Sequence, residues 1–408
     1  MTSSVLELFL SGLILVLIQV LAALPWLYVV DSESFRSYVK RLDVVGGFVG
    51  GLLVAGAIVG YLLSYNNDPN RLADLGWWYG TVLHLQLSVD SVILALWVLL
   101  LVWPRGGTVA QATLREGYRQ PMFWLLLLAV IILMFGSAII PYFTFGDDYK
   151  MMKQLGFDMI MLTTMLFCVL LASMSVSEEI EGRTAVTLMS KPVTRRQFLL
   201  GKFFGILLAG WLMTMFMAGA FNWALWLQPQ LDRLPNEIGD PLTTQVQNAV
   251  IPYIQMLGVG PTGKAFFKGV GIWQGETLAN LLGQIMGFGL VMVMLAIAVS
   301  LATRLSMVVN LVCCLVIFFL GNLSQVLVQA AQQLQGGALA LVGFLARLFD
   351  ILLPSLQYAS TSQVYIRETP LEAGAFAAYV GSVFGYFAVY TVIALLVGLI
   401  LFEDRDLA

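Results

Sequence analysis

The chain has 408 residues, of which 59% are hydrophobic and 11% are charged, and its formal net charge is -3. So little polar surface cannot coat a soluble globule of this length, which excludes a soluble enzyme or a nucleic-acid-binding domain. The composition predicts an all-α integral membrane protein with no nucleic-acid partner. The three cysteines lie within apolar runs, so we expect them to be buried and reduced rather than paired.

Nine apolar segments are long enough to cross a hydrocarbon core, which needs about 20 residues of helix. They cover residues 6–30, 43–64, 77–103, 122–142, 157–172, 198–226, 276–303, 307–329 and 376–402. A tenth apolar run, 338–353, contains Arg347 and Asp350 and ends before Pro354. It fits an interfacial or re-entrant helix on the outer side better than a further crossing.

The distribution of basic residues predicts the orientation in the membrane. Most of the 21 Lys and Arg residues fall on one side if the loop after the first span is cytoplasmic, and they concentrate there in short loops. We therefore expect a multi-pass protein of the cell (inner) membrane, with its N-terminus outside and its C-terminus in the cytoplasm.

Residues 178–202 form the densest charged segment of the chain, with acidic residues early and basic residues late. The pairs Ser175/Glu178 and Thr194/Gln197 have capping-box spacing, and each predicts the start of a helix. Pro192 disfavours helical geometry just before the second of these. By physics alone this charged segment is either a solvated loop or a surface that docks onto a partner or lies in the membrane interface.

The order of residues in the charged segment resembles a known pattern. EEIEGRTAVTLMSKPVTRR, followed by FLLGK, is similar to the cytoplasmic loop between the second and third spans of ABC-2 type transporter permeases. The ending FEDRDL and the amphipathic stretch ATLREGYRQP are similar to the C-terminus and the elbow helix of the same family. The resemblance covers residues 107–408 and supplies six spans in the family's order.

This resemblance implies the permease subunit of an ABC transporter, in most such systems an exporter, that is not itself an enzyme. It implies a separate nucleotide-binding subunit that carries ATP and Mg, a second permease chain (identical or different) and membrane lipid as partners, with no cofactor or metal in this chain. The residues that it places in contact with the ATPase, as a coupling helix, are Glu178, Glu179, Glu181, Gly182, Thr184, Lys191, Pro192 and Arg195.

Residues 1–106 add three helices that the six-span permease lacks, and the stretch 103–107 is predicted to be a linker of Pro and Gly. His84 and Asp90 lie within the third span, where ionisable groups are costly and indicate a candidate polar site. Gln86, four residues before Asp90, is placed to hydrogen-bond it. Polar packing and a role in a substrate or proton path both remain open for Asp90.

Gly258 to Lys264 fits the spacing of a phosphate-binding loop. Ala265 follows where that loop needs a hydroxyl for magnesium, and no apolar strand precedes it, so we expect a chance turn. The chain then needs an ATPase supplied by another polypeptide. Two other classes stay open: a membrane anchor of an ABC-type assembly that moves no solute, and a secondary transporter driven by an ion gradient.

Six pairs of glycines have the spacing that lets membrane helices approach closely, and we expect them to pack within the chain rather than to form a dimer seam. The pairs are Gly46/Gly50, Gly47/Gly51, Gly56/Gly60, Gly201/Gly205, Gly283/Gly287 and Gly381/Gly385.

Overall fold

The computed structural model describes residues 4–66, 68–139, 148–177, 179, 194–231, 241–333, 354–360 and 372–403. Within these ranges the regular structure is helical and contains no strand, which confirms the all-α class. The helices are α1 Val5–Val30, α2 Ser32–Val39, α3 Leu42–Ser64, α4 Pro69–Val102, α5 Pro104–Arg119, α6 Pro121–Ile139, α7 Asp148–Ala172, α8 Arg195–Leu231, α9 Pro241–Gln255, α10 Pro261–Ala302, α11 Met307–Gln333 and α12 Ala373–Glu403, with a π-helical turn at Ser173–Ser177 and a 3-10 turn at Leu356–Ala359.

Eight helices in the described part of the chain are long and apolar enough to cross a membrane: α1, α3, α4, α6, α7 with its π-turn, α8, α10 and α12. The ninth predicted span is also helical, as α11, and its apolar portion Met307–Leu323 is shorter than the others. The predicted outer helix at 338–353 lies outside the described residues.

The bilayer-facing character of these helices is visible in α6. Trp124, Leu125, Leu128 and Ile132 are all exposed on this helix, which contains no charged residue. In water such a surface would be unfavourable, whereas in a bilayer it contacts lipid. The expected contact with membrane lipid is consistent with this face.

One compact unit comprises Met1–Trp97, Asp232–Leu281 and Pro370–Ala373. In it α1 and α3 pack with their backbones in close contact, because Gly12 faces Gly56 and Gly60. A Cβ atom added at Gly60 would lie 2.3 Å from the carbonyl oxygen of Leu8. The pair Gly56/Gly60 therefore packs within the chain, as its spacing predicts.

The other unit comprises Val98–Leu231, Leu282–Thr369 and Gly374–Ala408. Its central helix is α8, which packs against α5, α6 and α7. Gly201 and Gly205 lie under the backbone and side chains of α5, so α5 and α8 approach closely. Gly283 and Gly287 of α10 face Phe157 and Met161 of α7, so the predicted internal packing is confirmed for both of these pairs too.

The other three glycine pairs do not follow this prediction. A Cβ atom added at any of them meets no atom within 4 Å, so Gly46/Gly50, Gly47/Gly51 and Gly381/Gly385 do not pack against the described residues. Spacing alone identifies a bare strip of helix backbone but not what covers it.

The predicted linker at 103–107 is also wrong. Only Trp103 leaves the helical conformation, and Pro104 opens α5 at its first position, with Gly106 and Gly107 buried inside that helix. Proline is favoured at the first position of a helix because its missing amide proton is not needed there. The two glycines serve close packing instead: Gly106 lies against the Trp103 ring and Gly107 against Leu100.

Candidate coupling site

The structure describes the two ends of the charged segment 178–202. Of the residues predicted to contact an ATPase, Glu179 and Arg195 are described. The others, Glu178, Glu181, Gly182, Thr184, Lys191 and Pro192, lie outside the described residues.

A buried lysine of α8, Lys202, holds the start of the segment. Its ammonium nitrogen lies 2.5 Å from Glu179 Oε1, 2.7 Å from Ser175 Oγ and 3.4 Å from Glu116 Oε2. The lysine side chain is 5% exposed, while those of Glu116 and Glu179 are 38% and 26% exposed. We call these four residues the Lys202 cluster. It joins α5, α8 and the chain that leaves α7.

The Lys202 cluster is closely matched to the chemistry of an ammonium group. Lysine has three N–H donors and no acceptor, and three side-chain oxygens surround it. Because two carboxylates share one cation, loss of the lysine would leave two like charges side by side in a partly buried place. Loss of a hydrogen-bonded partner in such a partly buried place costs about 1–3 kcal/mol.

The sequence prediction did not include Lys202 among the coupling residues. The available signal was its position inside the predicted span 198–226, since an ionisable residue within a span is by default a candidate for function. Its partner Glu116 is separated from it by 86 positions along the chain, so only the fold brings the two together.

Between α7 and the charged segment, the chain forms a π-helical turn at Ser173–Ser177. Ser175 was predicted to cap a new helix, and this is wrong: the chain continues from α7 without a break, and the Ser175 hydroxyl donates to Glu116 Oε2 at 3.2 Å. Such π-turns are rare and occur often at functional sites. All three serines of this turn are buried.

The other end of the segment starts α8 as the sequence predicts. The Thr194 hydroxyl accepts from the amide of Gln197 at 3.2 Å, and the Gln197 side chain accepts from the amide of Thr194 at 3.0 Å. This reciprocal pair is a capping box, which satisfies amides that have no partner within the helix.

Arginines next to this capping box hold the C-terminal end of α12. Arg195 Nη1 donates to the carbonyl oxygens of Phe402 at 3.0 Å and Glu403 at 2.9 Å. Arg196 donates to Glu403 Oε1 through Nε at 2.9 Å and through Nη2 at 2.7 Å. Arg304, which follows α10, donates through Nε to Leu401 O at 2.9 Å.

These arginine contacts stabilise the end of α12 for two reasons. The last carbonyls of a helix have no partner within it, and the helix dipole places partial negative charge there. The arginine side chains donate hydrogen bonds to these carbonyls and also bring positive charge to the negative end of the helix dipole. The end of the charged segment is thereby connected to α12, and its start is connected to α5 and α8 through the Lys202 cluster.

The candidate polar site in the first unit is only partly what the sequence predicts. His84 is buried, and its ring meets Trp273 edge-on at 6.4 Å between centroids. Gln86 does not bond Asp90. Its Oε1 accepts instead from Nε2 of Gln19, a residue of α1 that lies beside Gln86, at 2.5 Å.

Asp90 is 4% exposed, and within the described part of the chain neither carboxylate oxygen has a well-formed hydrogen bond. The Trp26 side chain lies close enough to interact with this carboxylate. A carboxylate in such a place is costly unless it is neutral or paired. Its role in packing or in a path stays a prediction.

The segment that mimics a phosphate-binding loop has the wrong structural setting. Helix α9 precedes it, and Pro261 opens α10 in the middle of the motif. A phosphate-binding loop joins a strand to a helix, so that its amides converge on the phosphates. No such strand is present in this described part of the chain, and residues 261–264 of the motif lie in the first turn of α10.

The described helices define a multi-pass membrane protein. A sequence profile described as "ABC-2 family transporter protein" matches residues 107–407, and the chain belongs to that family. It is thus a membrane component of an ABC transporter, a class that works with an ATPase partner. Residues 1–106 lie outside the match, and no curated protein matches the chain.

Proposed function

We propose that this chain is the permease subunit that couples ATP hydrolysis on a separate nucleotide-binding subunit to export of a substrate across the inner membrane. The observation that carries the proposal is the anchoring of the charged segment at both ends. Its start is bonded to α5 and α8 through Lys202, and its end is bonded to α12 through Arg195 and Arg196.

Because both ends of the segment are bonded to helices, movement of the segment would be transmitted to those helices. A loop tethered only through the backbone could shift without moving the helices beside it. Here a movement of the segment that pulls on Glu179 or Arg195 must either break the charge-assisted hydrogen bonds of these residues or move the helices to which they are bonded. Coupling requires that nucleotide state bias such a two-state element in the membrane.

The remaining parts of the proposal follow the family. The charged segment faces the cytoplasm, with the N-terminus outside and the C-terminus inside, and ATP and Mg bind the partner subunit. A second permease chain, identical or different, completes the translocation pathway. The exposed apolar faces of α6, α11 and α12 offer the surface for that chain and for lipid.

Charge reversal within the segment tests the proposal. We expect Glu181→Lys to weaken copurification of the ATPase, or to uncouple its hydrolysis from transport, by about tenfold or more, a typical size for coupling between two sites. The ATPase that copurifies with the chain in mild detergent is measured per permease, together with its ATP turnover.

Glu33→Lys is the matched control, since Glu33 is an exposed acid on α2, outside the family match. It should retain the ATPase and its turnover. Wild-type assembly together with coupled transport in Glu181→Lys would show that the segment is not the coupling element.

A further inference from the structure

The three serines of the π-turn each bond a different part of the permease region. Ser173 Oγ accepts from Asn310 Nδ2 of α11 at 2.9 Å, and Ser175 Oγ accepts from Lys202 Nζ of α8 at 2.7 Å. Ser177 Oγ lies 3.1 Å from the carbonyl oxygen of Leu305, in the turn between α10 and α11. This small turn therefore has polar contacts with α8, with α11 and with the turn that joins α10 to α11.

The contacts of Ser173 and Ser177 with the α10–α11 side are buried, and each is accompanied by a second polar contact. Asn310 is fully buried, and its amide also donates to Ala298 O of α10 at 3.1 Å. Ser177 is 1% exposed, and its hydroxyl lies 3.4 Å from Ala302 O as well. The carbonyls of Ala302 and Leu305 belong to the last turn of α10 and the connection after it, where no helical amide follows to donate to them.

The position of the turn gives these contacts their meaning. Ser177 and Glu179 are two residues apart, so the serine contacts lie where the charged segment leaves α7. A π-turn has hydrogen bonds between residues i and i+5, where an α-helix has them between i and i+4. A change between the two shifts the register of the chain that follows and would move Ser177 relative to the carbonyls that it bonds.

From this arrangement we propose that Ser173 and Ser177 are positioning residues that transmit movement of the charged segment to the α10–α11 connection. The inference rests on the proposed function and adds a route from the charged segment to helices α10 and α11. Ser175 belongs to the Lys202 cluster and serves α5 and α8 instead. The two routes diverge within one turn, which makes them separable by single hydroxyl deletions.

Amide hydrogen exchange on the full chain in complex with its ATPase tests the proposal, with the non-hydrolysable ATP analogue AMP-PNP as the probe. In the wild type, we expect AMP-PNP to change exchange both in residues 178–193 and in residues 303–310. In Ser177→Ala, and separately in Ser173→Ala, the change at 303–310 should fall about tenfold while that at 178–193 persists.

Ser175→Ala is the matched control, because it removes a hydroxyl from the same turn but leaves the α10–α11 contacts in place. It should keep the response at 303–310. A wild-type response at 303–310 in Ser177→Ala and Ser173→Ala, or an equal loss in Ser175→Ala, would overturn the proposal. Absence of any response at 178–193 in the wild type would instead overturn the proposed function, and this inference with it.

Discussion

Lys202→Met is expected to lower the free energy of unfolding by about 1–3 kcal/mol, since it leaves Glu116 and Glu179 as neighbouring, partly exposed carboxylates without their cation. The methionine retains most of the apolar volume, so the loss reports the charge and not a cavity. Denaturation of the detergent-solubilised chain, followed by a probe of helix content, measures it. We expect the same variant to lose nucleotide-dependent changes in the charged segment.

Two further variants separate these effects. Lys268→Met makes the same change at an exposed lysine and should alter stability by less than about 0.5 kcal/mol. The triple variant Lys202→Met, Glu116→Gln, Glu179→Gln removes all three charges and should recover much of the lost stability, because no buried charge remains unpaired. If Lys202→Met is as stable as the wild type, the Lys202 cluster is not a structural support for the charged segment.

Gly60→Val is expected to separate α1 from α3 at their closest approach. Its Cβ atom would lie 2.3 Å from the Leu8 carbonyl oxygen and 2.8 Å from the Leu8 carbonyl carbon, and backbone atoms cannot rotate away as a side chain can. Overpacking of this kind costs about 1–3 kcal/mol. The thermal midpoint, and the yield of a disulfide between cysteines placed on α1 and α3, should both fall.

Gly50→Val provides the control on the same helix. A Cβ atom at Gly50 meets no described atom within 4 Å, so the added side chain has room and gains helix propensity. We expect its midpoint to equal or exceed that of the wild type. Equal destabilisation by the two variants would mean that the contact between α1 and α3 does not stabilise the fold.

Much of the architecture could be predicted because lipid offers no hydrogen-bond partners to the backbone, so few kinds of structure can span a membrane. Runs of about 20 apolar residues must form helices, and each predicted span coincides with a described helix. Helices α4, α7 and α10 begin 8, 9 and 15 residues before the predicted limits, at Pro69, Asp148 and Pro261, because a helix can continue beyond its apolar run. The Thr194–Gln197 capping box was predictable for the same reason, since both partners lie within one turn of the chain. Local patterns decide local structure.

The coupling site was less predictable because its contacts join distant parts of the chain. Lys202 meets Glu116, 86 positions away, and Ser177 meets Leu305, 128 positions away. Gln86 fitted a local rule for bonding Asp90, yet a side chain of α1 competes for it successfully. A serine-rich stretch also does not reveal from its composition whether it will cap a helix or form a π-turn.

Purification of the chain in mild detergent, followed by mass spectrometry of the intact complex, tests the central claim most directly. We expect a nucleotide-binding ATPase to copurify in fixed proportion to the permease, to be lost in Glu181→Lys and to be retained in Glu33→Lys. A chain that purifies without any ATPase, or that retains it equally in both variants, would contradict the assignment of residues 178–202 as the coupling segment.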